Sequence, residues 1–112
     1  MATTTFSGPV VSDAGFQTGT SGSTLSLMKQ YSVTLSTTNV TTANTADATA
    51  TCTGVVAGDQ LLITPPASWT ADAAIAGAWV SAADEITIRF INATGVTVDA
   101  AGVYKVLAIR AA

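Results

Sequence analysis

The sequence predicts an all-β protein: a small antiparallel β-sandwich or barrel-like domain with an extended N-terminal arm. Three observations carry that expectation. Apolar residues recur with period two from Leu25 onward, the signature of half-buried strands. Clusters of Gly, Asn, Asp and Pro interrupt these runs roughly every 8–12 residues, the spacing of sandwiches and small barrels. The first 24 residues lack this alternation and are rich in Ser, Thr and Gly. The chain therefore divides into an arm over residues 1–24 and a compact β domain over residues 25–112.

Within the arm only Phe6, Val10, Val11 and Phe16 offer apolar anchors. Pro9 prevents a regular inner strand, and Gly8, Gly15, Gly19 and Gly22 raise the entropic cost of order. Fully stretched, such a segment reaches roughly 80 Å. Two phenylalanines in so polar a stretch argue for contact, since burying each is worth about 1.5–3 kcal/mol.

The β domain reads in order. Leu25, Leu27, Tyr31, Val33 and Leu35 alternate with Ser, Met, Lys and Thr and predict the first strand. Asn39 to Asp47 is polar and aperiodic and predicts a loop, followed by a strand from Ala48 to Thr53. Gly54 and Gly58-Asp59 mark turns. Gln60 to Thr64 forms a short strand that Pro65-Pro66 ends, because neither proline can donate to a ladder. Thr70 to Ala76 could make one helical turn capped by Thr70, but Gly77 and the short length favour a loop feeding a strand at Ala78 to Ala82. After a turn at Ala83-Asp84, Glu85 to Asn92 is the clearest strand, with Ile86, Ile88 and Phe90 on one face and Thr87, Arg89 and Ile91 on the other. Asn92 to Gly95 turns, Val96 to Val98 is a strand, Asp99 to Gly102 turns, and Val103 to Arg110 closes the domain. The larger apolar residues, Trp69, Trp79, Val96 and Tyr104 among them, supply one small core.

Composition narrows function. Alanine and threonine each supply nearly a fifth of the chain, while it has no histidine, one cysteine and four basic against seven acidic residues. Catalysis at neutral pH draws on His, paired carboxylates, activated Cys or Lys, or metal ligands. The chain is therefore predicted not to be an enzyme and to use no cofactor or metal. Asp72, Asp84 and Glu85 are the nearest approach to a carboxylate pair and read as turn and strand-edge residues. Lys29, Arg89, Lys105 and Arg110 are scattered, which predicts no nucleic-acid partner. No apolar run approaches the ~18 residues of a membrane span. Cys52 has no disulfide partner and reads as a buried thiol. Met1 to Phe6 lacks a basic and apolar leader, so folding in a cytoplasm is expected. Asn39-Val40-Thr41 and Asn92-Ala93-Thr94 match the glycosylation pattern but read as loop and turn.

Two stretches carry a resemblance. The opening Thr3-Thr4-Thr5-Phe6-Ser7-Gly8-Pro9-Val10-Val11-Ser12-Asp13-Ala14-Gly15-Phe16 resembles those of small virion proteins of tailed bacteriophages. Gly54 to Ile109 resembles a β module of such proteins, through Gly58-Asp59, Pro65-Pro66, Val80-Ser81-Ala82-Ala83-Asp84, Arg89, Asn92 and Ala101-Gly102-Val103-Tyr104. The resemblance implies a virion structural protein of the capsid decoration or cement type. It would be assembled in the host cytoplasm, with the major capsid protein as partner and a homotrimer as its own assembly. On this reading Phe6, Pro9, Val10 and Phe16 bind the capsid or a neighbouring subunit, and Ile91 or Leu107 join a contact if they point away from the core. The alternative is a tail or fibre protein that binds a host-surface glycan through Trp69, Trp79 and Tyr104.

Overall fold

Eight strands make up the regular structure of the computed structural model, which describes residues 3–36, 38–67, 69 and 73–112. They are β1 (Leu25–Leu35), β2 (Asn39–Val40), β3 (Asn44–Thr51), β4 (Gln60–Thr64), β5 (Ala74–Ala82), β6 (Glu85–Asn92), β7 (Val98–Asp99) and β8 (Gly102–Ala111). All pairings are antiparallel, in three small sheets ordered β1-β8-β4, β2-β7 and β3-β6-β5. The all-β expectation holds.

The first sheet is framed on β8, where Tyr104, Val106 and Ala108 are buried. Val33 of β1 lies opposite Tyr104, and Ile63 and Leu61 of β4 lie opposite Val106 and Ala108. In the other three-stranded sheet Ile86, Ile88 and Phe90 of β6 are fully buried. They face small partners: Ala50, Ala48 and Ala46 on β3. Large side chains on one strand thus meet methyl groups on the next, an alternation that fills space without strain. All these residues belong to one core cluster. Phe90 and Tyr104 join the two sheets with ring centroids 5.9 Å apart at 60°, and Trp69 closes the group at 6.1 Å from each. Such aromatic pairs add about 0.5–1.5 kcal/mol beyond the area they bury.

Tyr104 also anchors a turn. Its hydroxyl donates to the Ala100 carbonyl at 2.7 Å, and burial, reinforced by the negative charge of Asp99, pushes its pKa up to about 12. Gly102 has φ +144, and a Cβ there would approach Pro66 to 2.6 Å, so only glycine lets Pro66 pack over the start of β8.

Several expectations need correction. The strand expected at Ala48 begins at Asn44, and the loop before it shrinks to Thr41–Ala43, with Asn44 N–H donating to the Thr41 carbonyl. Its inward positions are alanines, which carry too little hydrophobicity to show their period. The strand expected at Ala78 begins at Ala74; Thr70, Ala71 and Asp72, on which the helical-turn alternative rests, lie outside the described residues. The strand at Val96 is confined to Val98–Asp99, and Val96 is exposed because Asn92 holds its carbonyl in a turn. Trp79 leaves the core and stands on the outer face of β5. Cys52 is buried, though just past the end of β3, and burial pushes its thiol pKa up.

Asn92 is the polar hub of the fold. It is wholly buried, and its Nδ2 donates to the carbonyls of Val40 and Val96 at 2.8 and 2.7 Å. Its Oδ1 accepts from the Thr94 N–H and hydroxyl at 2.8 and 2.6 Å. One amide therefore joins β2, the end of β6 and the turn toward β7 with its full hydrogen-bonding capacity used. Asn92→Ala takes its donor from the buried Val40 carbonyl and leaves a cavity, and is expected to lower unfolding free energy by about 2–4 kcal/mol, read from urea midpoints. Asn92→Asp should be no milder, because it trades both donors for a buried charge.

Candidate interaction surface

The strand period that sends Tyr104, Val106 and Ala108 inward sends Val103, Lys105, Leu107 and Ile109 outward. On this outer face Met28 lies opposite Ile109, and Leu107 lies between Gln30 and Leu62. Met28 is 59% exposed and Leu62 62%, while Leu107 and Ile109 are half-buried and outside the core cluster. The result is an apolar band across all three strands. Lys105 sits on the same face between Ser32 and Thr64. The three strands carry no acidic residue. Leu107 points away from the core, as the contact expectation requires. Ile91 also points away, at 44% exposure, but on the other large sheet. Met28, Leu62 and Ile109 were not singled out by sequence. Their neighbours Leu61, Ile63 and Ala108 are equally apolar, which hides which residues face outward.

The residues expected to bind a partner lie in the segment before β1. Phe6, Pro9, Val10 and Phe16 are all exposed, as is Val11. Among the described residues, Phe16 alone of the four is hydrogen-bonded to the β domain. It forms an isolated antiparallel bridge with Leu25, through Phe16 N–H to the Leu25 carbonyl at 2.9 Å and Leu25 N–H to the Phe16 carbonyl at 2.7 Å. Gly15 makes the approach possible. Its φ is +90, and any Cβ there would collide with the Leu25 carbonyl. Ser12 Oγ donates to the Gly15 carbonyl at 2.7 Å and fixes the turn. Ser12, Gly15, Phe16, Leu25 and Met28 border a shallow groove beside the apolar band.

Apart from Ile91 and Trp79, the outer face of the β3-β6-β5 sheet is polar and pinned. Arg89 donates from Nε and Nη2 to both carboxylate oxygens of Asp47, at 2.7 and 2.9 Å. Its guanidinium lies 5.2 Å from the centre of the Trp79 ring. Thr49 and Thr87 hydroxyls bond across the strands at 3.1 Å, and Ser81 donates to Glu85 at 2.8 Å. Of the three aromatics named for sugar stacking, Trp69 and Tyr104 belong to the core group; Trp79 alone is on the surface, beneath Arg89.

The carboxylates hold turns and strands. Asp84 has φ +61, and its Oδ1 accepts the Gly54 N–H at 2.7 Å; its own N–H and carbonyl bond Val55 and Cys52. Glu85 is engaged by Ser81, so these two acids do not face one another as a pair, and Asp72 lies outside the described residues. Among the described residues no group of three or more His, Cys, Asp or Glu side chains is arranged to hold a metal ion. Nor is any helix long and apolar enough to cross a membrane.

Asp59 is the acid with the most demanding setting. Its side chain is buried and accepts Arg110 Nε and Nη2 at 2.6 and 2.7 Å and the Val56 N–H at 3.0 Å. Arg110 also donates to the Gly54 carbonyl at 3.0 Å. The Gly54–Asp59 turn is thereby clamped to the end of β8. Hydrogen bonding from Arg110 holds the Asp59 carboxyl below the usual carboxylate range against the opposing effect of burial, and Arg89 does the same for Asp47.

Compared with protein-family models, curated proteins and solved structures, the chain matches none.

A carboxyl group whose folded pKa is depressed contributes stability above its unfolded value, near 3.9, and loses it as pH falls through the folded value. The urea midpoint is therefore expected to stay level from neutral pH to about pH 5 and then to drop progressively. Asp59→Asn should lower the midpoint at neutral pH and flatten the acid limb, whereas Asp47→Asn, at an exposed pair, should change both much less.

Proposed function

We propose that this chain is a bacteriophage virion structural protein, a decoration or cement protein that binds the outside of the head and stabilises it. In this reading the two three-stranded sheets form a small sandwich and residues 1–24 are an extended arm. The β domain sits where several major capsid subunits meet, and the arm crosses onto a neighbour. Phe6, Val10 and Phe16 fill apolar pockets while Pro9 keeps the path extended. A homotrimer would present three arms as one multivalent unit and raise avidity without new kinds of contact.

One observation carries the contact role: large apolar side chains stand exposed both on the N-terminal segment and across the outer face of the β1-β8-β4 sheet. Burying such groups drives association, and the low charge leaves little to desolvate. The shape fits, at 57 × 27 × 23 Å with a radius of gyration of 17.4 Å, against about 13 Å for a compact chain of this length. The virion assignment rests on the resemblance of Thr3–Phe16 and Gly54–Ile109 to phage proteins. A chain that works by contact needs neither catalytic groups nor a cofactor. The glycan-binding alternative keeps only Trp79 as a surface aromatic, with Arg89 already against its ring.

Deleting residues 2–20 is expected to leave a folded β domain that no longer cosediments with heads stripped of this protein, while the full chain does. Truncated protein that binds as tightly as the intact chain would defeat the arm mechanism. A few dozen copies per particle, rather than hundreds, would favour a tail position.

A further inference from the structure

We propose that the apolar outer face of the β1-β8-β4 sheet is the seat for the N-terminal segment of a second copy of this chain. The inference rests on reading that segment as a contact arm, takes a neighbouring copy instead of the capsid as what Phe6 and Val10 touch, and does not need the virion assignment.

Chemistry matches the two surfaces. The face offers Met28, Leu62, Leu107 and Ile109 in register across three strands, with Lys105 beside them and no acid on any of the strands. Residues 3–16 offer Phe6, Val10 and Val11 at 67%, 52% and 84% exposure, and their one charged residue is Asp13. Apolar groups therefore meet apolar groups, and the single carboxylate has Lys105 to approach.

Geometry favours a seat on the face over addition to an edge. Pro9 has no N–H and Gly8 precedes it, so the segment cannot continue a regular ladder. An extended run from Phe6 to Val10 covers about 13–14 Å. Met28 on β1 and Leu62 on β4 are two strand spacings apart, roughly 10 Å, with a further ~7 Å along the strand between their rows. The lengths agree.

A second copy is required because the segment does not cover its own sheet. Its three large side chains are exposed, the face beneath is exposed too, and the molecule is drawn out to 57 Å. The Phe16–Leu25 bridge and the left-handed Gly15 fix the point from which the segment leaves β1. In a closed ring each copy would give one arm and receive one, a heterologous contact that ends when the ring closes.

The test uses the full chain alone, without heads. Sedimentation at about 50 μM should show an oligomer, and Phe6→Ser, Val10→Ser and Leu62→Lys should each weaken it at least about tenfold. Phe6 and Val10 lie outside the packed core, so their variants keep the result readable if Leu62→Lys fails to fold. Val10→Cys in one copy and Leu62→Cys in a differently sized copy should form a mixed disulfide on oxidation, with buried Cys52 silent. A monomeric full chain, an oligomer indifferent to these substitutions, or no mixed disulfide would overturn the proposal. A monomer that still binds heads would overturn it while leaving the virion reading intact. Loss of head binding by Leu62→Lys in such a monomer would assign the face to another protein.

Discussion

Contact between the inner faces of β6 and β8 is the constraint on which the rest depends. Each large sheet has only three strands, and neither could bury its apolar face alone. Phe90 against Tyr104, with Trp69 over both, supplies the bulk at the middle of that contact. The flanking strands follow from it. Alanines on β3 fit under the large residues of β6, and Leu61 and Ile63 on β4 extend the β8 side. Orientation of the outer faces is then fixed, because the strand period allows no other.

Buried polar groups decide how the connections lie over that core. Asn92 holds the β2 and β7 region, the Asp59–Arg110 pair clamps the turn before β4, and Asp84 ties the β5–β6 hairpin to the loop after β3. Among the described residues no buried side-chain polar atom lacks a partner. Such satisfied contacts add modest net stability but penalise alternatives that would leave them unpaired. They also explain why so small a core sustains several short strands.

Legibility in the sequence followed side-chain size. Ile86, Ile88 and Phe90 alternate against polar neighbours, so both strand and facing could be read directly. Ala46, Ala48 and Ala50 occupy equivalent positions, yet methyl groups are poor markers of a period. Val40 and Val55 are fully buried but sit in polar or glycine-rich stretches, where a lone valine carries no pattern. Trp79 read as core because it stands among small and apolar neighbours, Ala76 to Val80, with no polar residue to mark a face. For the candidate surface, Phe6, Val10 and Phe16 stood out against Ser, Thr and Gly. The band of Met28, Leu62, Leu107 and Ile109 did not, since it exists only once three strands are placed in register.

Two bulges interrupt the pairing of β5, between Ile75 and Gly77 and between Val80 and Ala82. Beside it, at the edge of the other large sheet, β4 is five residues long and stops at Pro65-Pro66. Both strands lie at sheet edges, and neither presents a long regular ladder. The design discourages amyloid-like growth from these edges. On this side of the fold association is steered toward side-chain surfaces, and strand-to-strand growth is left to the other two edges, where β1 and β3 run for 11 and 8 residues.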